Sequence, residues 1–137
     1  MDAADLAMEQ DKSNIRKLRA NLESDNLGIR YWAIVGLFLI DDVDSGLKAI
    51  NDESDKVRVM AAWLLIKNGE AAKGIACIKD LLKCESYAML KVLNVIKWMD
   101  EKNKAVLAPY IREAEALNTS TDEKYIKRIK KTDFKIL

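Results

Sequence analysis

Two segments of twelve residues in this chain share one pattern of apolar and polar residues, and this internal repeat restricts the fold more than any other feature of the sequence. Residues 22–33 and 50–61 align at an offset of 28. In each copy an apolar residue closes one helix, an acidic polar turn follows, and an apolar–Arg pair opens a second helix. Such repeats predict stacked helix pairs, because each pair buries its apolar side only against its neighbours.

Two further copies are less complete. Residues 88–96 align with residues 57–65 at an offset of 31, and Met89 stands where Arg58 would be. Residues 125–129 repeat the pattern in a more basic, less apolar form, as expected of a terminal capping unit. We therefore predict an all-α fold, a right-handed α–α superhelix of about four helical hairpins. The predicted repeats cover about 13–40, 44–68, 70–99 and 102–136 of a single domain spanning residues 1–137.

Apolar spacing and helix-ending residues predict nine helices. Their ranges are residues 3–9, 13–22, 27–39, 44–50, 56–67, 70–83, 86–99, 102–117 and 121–136. Ser13 and Asp55 are the predicted N-caps of the second and fifth helices, and Gly69 is predicted to end the fifth. Pro109 is expected to kink the eighth helix or to mark its start.

The second and third helices differ in their apolar patterns. Ile15, Leu18 and Leu22 form a single stripe on the second helix. The helix over residues 27–39 is apolar nearly all round, so we expect it to be the more enclosed of the two.

Composition and charge exclude several classes of protein. Half of the residues are hydrophobic and a third are charged, with five Gly and one Pro, which favours helices joined by tight turns. A net charge of +1 is too small for ordinary nucleic-acid binding, so no nucleic-acid partner is predicted. The longest apolar stretch, residues 34–40, is too short for a membrane span. The acidic N-terminus does not resemble an export signal.

The sequence also argues against catalysis and cofactor binding. It contains no histidine, the commonest general base and metal ligand. Neither a Cys pair with zinc-site spacing nor a Gly-rich phosphate loop occurs, so no cofactor and no catalytic residue is predicted. Cys77 and Cys84 are interpreted as small core residues. The acids of residues 41–44 lack the spacing of a calcium loop and are interpreted as a solvated turn with an N-cap.

Equivalent positions of the repeats carry the residues with predicted structural roles. Arg30 and Arg58 are expected to join neighbouring turns through carboxylates, Asp55 among them, or carbonyl oxygens. Three tryptophans lie on the second helices of three successive repeats, where core packing is expected. They are Trp32, Trp63 and Trp98.

Candidate contact residues lie elsewhere. Tyr31 and Tyr110 are candidates for partly exposed aromatics of a contact patch. Lys124, Lys127 and Arg128 belong to a basic cluster that could bind a sulfated glycan, an acidic protein or a phosphate backbone. The alternative is a solvated last helix whose cations complement its negative end.

The chain resembles a known family at particular residues. Arg30-Tyr31-Trp32-Ala33 followed by Gly36-Leu37 is similar to the HEAT-like tail at the C-terminal end of certain bacterial sulfatases of the Bacteroides type. The likeness extends from residues 3–7 through residues 57–62 and 92–94 to residues 125–128. It implies a HEAT/armadillo-like solenoid that accompanies an upstream α/β catalytic domain, with a formylglycine made from a Cys/Ser-x-Pro-Ser-Arg motif. That motif is not in this chain.

The expected function is therefore a non-catalytic interaction or scaffold module, the C-terminal accessory domain of a sulfatase. The alternative is a free-standing HEAT-like adaptor that binds a protein or peptide. A helical-repeat protein that binds nucleic acid is disfavoured by the near-neutral charge. An exported sulfatase would place the chain in the periplasm or outside the cell, whereas an adaptor would be cytoplasmic.

Overall fold

The computed structural model describes residues 2–83 and 88–117, and this part of the chain is helical, with no strand in it. A 3₁₀ turn at Lys12–Asn14 separates the first two of its α-helices. The α-helices are α1 (Ala3–Met8), α2 (Ile15–Leu22), α3 (Leu27–Leu39), α4 (Val43–Ala49), α5 (Asp55–Lys67), α6 (Ala71–Lys83), α7 (Ala88–Lys97) and α8 (Glu101–Leu117). The all-α prediction is confirmed for this part. The predicted last helix, residues 121–136, lies outside it, as do Ser86 and Cys84.

Two of the predicted N-cap residues differ from those in the structure. Asp11, two residues before the predicted Ser13, accepts a hydrogen bond from the Ser13 amide and caps the 3₁₀ turn that precedes α2. Ser54 is the N-cap of α5, and Asp55 is its first helical residue. Both errors are short shifts within runs of Ser and Asp, residue types that favour the same position.

Helix ends follow prediction more closely. Gly69 has a φ of 92°, and its amide and that of Glu70 donate to the carbonyls of Ile66 and Leu65. This pairing ends α5 as a Schellman motif, for which a left-handed residue is required. By contrast, α8 begins at Glu101 and continues through Pro109, so the proline does not mark its start.

The described helices pack as successive pairs whose second members also contact one another. Helix α2 packs on α3, α4 on α5, and α6 on α7, while α3 packs on α5 and α5 on α7. Helix α6 contacts both α5 and α8, and α1 covers the side of α3 beside α2. The second helices of three pairs therefore lie side by side in one layer.

Two hydrophobic clusters meet at α5. The first contains Leu18, Leu37 and Leu64 from α2, α3 and α5, and the second contains Ile78, Ile96 and Leu107 from α6, α7 and α8. Ile50 and Trp63 are partly buried against both clusters. The clusters are therefore continuous through α5, eight of whose thirteen residues are buried.

Small residues allow the helices to approach closely at two crossings. A Cβ on Gly36 would lie 2.9 Å from Cα of Ala7 in α1, and a Cβ on Gly74 would lie 2.5 Å from the carbonyl oxygen of Ala62 in α5. Both separations are shorter than any side chain permits. Glycine at these two positions therefore allows the short distances between α1 and α3 and between α6 and α5.

Helix α3 is more enclosed than α2, as predicted, because only Leu27 and Gly28 of its residues are exposed.

Within the described ranges, no helix combines the length and apolar character that crossing a bilayer requires.

Candidate functional site

Arg30 joins two successive turns of the helix stack. Its Nε donates to Oδ2 of Asp52 at 3.2 Å, and one Nη donates to the carbonyls of Ser24 and Asp25 at 3.0 and 3.2 Å. Ser24 and Asp25 lie between α2 and α3, and Asp52 lies between α4 and α5. The side chains of Arg30 and Asp52 are only 16% and 13% exposed, so the pair is shielded from solvent.

Arg58, at the equivalent position of α5, makes fewer contacts. Its Nε donates to the carbonyl of Ile50 at 3.2 Å, and an Nη lies 3.9 Å from a carboxylate oxygen of Asp55. The first contact joins the start of α5 to the end of α4. The carboxylate of Asp55 therefore faces the arginine of its own helix rather than a neighbouring turn.

Asp42 lies in an ion pair that the sequence does not suggest. Its two carboxylate oxygens accept from Nε and Nη2 of Arg19 in α2 at 2.8 and 2.7 Å, and the hydroxyl of Ser45 also donates to it. Asp42 is buried, so the interpretation of residues 41–44 as a solvated turn is wrong at this residue, although Asp42 does stand at the N-cap of α4. The bonds from Arg19, supported by Ser45, hold the pKa of Asp42 below its ordinary value although burial opposes the shift.

A pocket of about 190 Å³ opens beside this ion pair, between α2 and α4. It is lined by Arg19, Leu22, Glu23, Asp44, Ser45 and Lys48. Lys48 and Glu23 pair across it at 3.6 Å, with side chains 75% and 71% exposed. Because Arg19 is already bonded to Asp42 and the other charged groups are solvated, the pocket does not present a preorganised catalytic group.

The C-terminal ends of α3 and α5 are joined by an aromatic and cationic contact. The rings of Phe38 and Trp63 are 4.6 Å apart, and Nζ of Lys67 lies 3.7 Å from the centroid of the Phe38 ring. The same Nζ donates to the Phe38 carbonyl at 2.8 Å and lies 2.9 Å from Asp41. Lys67, followed by Asn68, lowers the pKa of Asp41.

Helix α5 reaches solvent along a single narrow stripe after its first turn. Of its residues from Val59 onward, only Trp63 and Lys67 are not buried, and exposed Lys56 lies on the same side two turns earlier. Ala62 and Ile66 face Gly74 of α6 on another side. The stripe therefore points away from the layer that contains α4 and α6.

Val35 and Leu39 of α3 align with Trp63 and Lys67 at the offset of 28, and Asn94 and Trp98 align with them at the offset of 31. We group these residues, together with Tyr31 one turn before Val35, as one surface and call it the outer face. It comprises Tyr31, Val35 and Leu39 of α3, Lys56, Trp63 and Lys67 of α5, Asn94 of α7, and Trp98, which follows α7 directly. The three side chains from α3 are partly buried, whereas Asn94 and Trp98 are exposed. The contact of Phe38 with Trp63 shows that the α3 and α5 parts adjoin.

The tryptophans have three different environments. Trp63 is partly buried against both hydrophobic clusters, and Trp32 is partly buried with its ring 5.8 Å from that of Tyr31. Trp98 is 72% exposed, so its assignment to the core is wrong. Helix α7 ends at Lys97, and Trp98 begins the turn to α8 instead of continuing the buried side of the helix.

The other candidate contact residues are Tyr110 and three basic residues near the end of the sequence. Tyr110 is partly buried against the second cluster, with Nζ of Lys79 4.2 Å from its ring centroid, and lies on α8 rather than on the outer face. Lys124, Lys127 and Arg128 lie outside the described residues.

The described residues offer no group of three or more His, Cys, Asp or Glu side chains suited to a metal ion. Cys77 is a free, buried thiol, and burial raises its pKa, which disfavours the reactive thiolate. The arrangement supports contact chemistry, namely stacking, apolar burial and ion pairing, on the outer face.

No family model, curated protein or solved structure matches the chain.

Proposed function

We propose that this chain is a HEAT-like helical repeat module that does not catalyse a reaction itself and that binds another protein surface through the outer face. The proposal includes the superhelical arrangement expected from the repeats. It is supported by the 28-residue offset between Arg30 and Arg58, which both bond a preceding turn at the start of a second helix.

The observation that carries the binding role is the side-by-side packing of α3, α5 and α7. Because their solvent-facing stripes adjoin, side chains far apart in sequence form one extended surface. The stripe on α5 includes Trp63, and the position after α7 carries Trp98 at 72% exposure. An exposed tryptophan is characteristic of a contact surface, since tryptophan contributes strongly to binding energy when a partner desolvates it.

We further propose that the protein bound in this way is the catalytic domain of a sulfatase, of which this chain would be the C-terminal accessory domain. This part of the proposal rests on the resemblance of residues 30–33 and of Gly36-Leu37 to such tails. In that arrangement the chain would buttress the catalytic domain, and the sulfate-ester chemistry would lie outside residues 1–137.

Two measurements test these proposals separately. The purified chain, assayed with aryl sulfates and glycosaminoglycan sulfate esters, is expected to show no turnover, and turnover in a pure preparation would contradict the non-catalytic role. The reading frame upstream of Met1 is expected to continue into a domain that carries a Cys/Ser-x-Pro-Ser-Arg motif. An in-frame stop before any such domain would contradict the sulfatase assignment and favour the free-standing adaptor.

A further inference from the structure

None of the residues that form the outer face is acidic, although the carboxylate of Asp41 borders it, 2.9 Å from Nζ of Lys67. Helices α3, α5 and α7 contain one acid, Asp55, and it lies in the first turn of α5 near Arg58. They contain six basic residues: Arg30, Lys56, Arg58, Lys67, Lys91 and Lys97. The acids of the first two repeats lie mainly in the turns between helices.

Some of these cations form ion pairs within the described part of the chain, and others do not. Arg30 is bonded to Asp52, and Lys67 is bonded to Asp41. Lys56 on the outer face and Lys97 beside Trp98 are both exposed, and neither forms an ion pair with a residue that the structure describes. A carboxylate on a partner would meet two cations that have no competing carboxylate among the described residues.

We infer that the outer face binds a short segment of a partner protein in which apolar side chains are interspersed with Asp or Glu. This inference rests on the proposed protein-binding function and names the chemistry of the partner. Apolar side chains of the segment would cover Leu39, Trp63 and Trp98, and its carboxylates would pair with Lys56 and Lys97. A basic segment is disfavoured, since it would bring like charges together over these two lysines.

The spacing of the helices sets the spacing of the segment's anchors. Packed helices lie about 8–10 Å apart, so a segment crossing α3, α5 and α7 meets a new stripe at that interval. A segment in the polyproline II conformation advances about 3.1 Å per residue and presents every third side chain to the same side, so its apolar anchors would lie three residues apart. A helical segment advances about 1.5 Å per residue and presents residues seven apart to the same side, so its anchors would lie about 10.5 Å apart.

The test begins with selection of random peptides, displayed on phage, on the immobilised full chain. The selected peptides are expected to be rich in Asp and Glu, with Leu, Phe, Met or Trp at one of the two spacings. The most enriched peptide is then synthesised with a fluorescent label, and its affinity is measured by fluorescence anisotropy.

Substitutions of individual side chains test whether the selected peptide binds at the outer face. Trp98→Ala, and separately the double change Lys56→Glu with Lys97→Glu, are each expected to weaken peptide binding by about tenfold or more. Matched controls on other helices are Val106→Ala, an apolar residue 44% exposed on α8, and Lys73→Glu, an exposed cation on α6. These controls are expected to change the affinity by less than about twofold. All these residues are exposed, so thermal melting should show each variant to be folded.

The outcomes separate this inference from the function on which it rests. Peptides that lack carboxylates, or that bind the outer-face variants as tightly as the parent chain, would overturn the inference while leaving a protein-binding role. No selected peptide and no saturable binding would overturn both. Trp98-dependent dimerisation, or Trp98-dependent retention of oligo(dT) or anionic phosphatidylserine vesicles in place of peptide, would assign the face to another occupant and also overturn the inference.

Discussion

Arg19 and Asp42 form a two-bond ion pair across 23 residues of sequence, with Nε and Nη2 of the arginine at 2.8 and 2.7 Å from the two carboxylate oxygens. The pair connects the middle of α2 to Asp42, the residue directly before α4. Together with the contact of Arg30 with Asp52, it connects α2 and α3 of the first predicted repeat to the start of α4 and to the turn between α4 and α5. The register between these repeats therefore depends on charged contacts as well as on the apolar core.

Asp42→Asn is expected to lower the free energy of unfolding by about 1–2 kcal/mol, since charge-assisted bonds from Arg19 are lost at a buried site. The cost is limited because the Arg19 side chain is 49% exposed and can be solvated when its partner is removed. Asp44→Asn, an exposed acid two residues on, is the control, with an expected change below about 0.5 kcal/mol. Urea denaturation measures both, and equal losses would contradict the structural role of the ion pair.

Stability should fall on the acid side and remain level near neutrality. The pKa values of Asp41 and Asp42 are lowered from 3.8 in the folded chain, so the unfolded chain binds these protons more tightly. Their contribution is complete well above 3.8 and is lost as the pH falls through the folded values. With no histidine present, the free energy of unfolding should be nearly constant between about pH 5.5 and 7.5. Urea denaturation at several pH values across this range measures the free energy of unfolding. A steep change in that free energy near pH 6.5 would contradict the assignment of the titrating groups to Asp41 and Asp42.

The two equivalent arginines should differ in importance. Arg30→Met removes the bonds to Asp52 and to two carbonyls and is expected to cost about 1–3 kcal/mol. Arg58→Met removes one carbonyl bond and a distant carboxylate contact, with an expected cost of about 0.5–1.5 kcal/mol. The two variants are compared by the urea concentrations at their unfolding midpoints, which report stability when the m-value is unchanged. A larger loss at Arg58 would show that these hydrogen bonds do not determine the ranking.

Gly74→Ala tests the close approach of α6 to α5. The added Cβ would lie 2.5 Å from the Ala62 carbonyl oxygen and 2.6 Å from Cγ1 of Ile66, so the helices must separate. We expect a net loss of about 1–2 kcal/mol, since overpacking exceeds the gain in helix propensity. Gly28→Ala meets only the Asn26 side chain, at 3.2 Å, and should stay within about 0.5 kcal/mol of the parent chain. Similar thermal melting of the two variants would argue against tight packing at Gly74.

Local features of the fold could be predicted because local sequence determines them. The limits of α3, Leu27–Leu39, follow from an apolar run between turn residues, and the end of α5 follows from Gly69. The burial of Leu18 and Leu22 follows from their spacing on one helical face.

Features that depend on tertiary contacts could not be predicted in the same way. The partner of Asp42 lies 23 residues away, and no local pattern distinguishes Arg19 from the solvated Arg16 and Lys17 on the same helix. Trp98 is exposed where the repeat pattern predicts a buried tryptophan, because α7 ends at Lys97. The outer face combines three helices, so it becomes visible only when their packing is known.

A two-dimensional ¹H–¹⁵N NMR titration of the full chain with the selected acidic, apolar peptide would locate the binding site directly. The Trp98 indole and the backbone amides of the outer-face residues are expected to shift together and to saturate at one affinity. Binding confined to α1, α2, α4 or α6, with the Trp98 indole unchanged, would contradict the claim that this protein acts through its outer face.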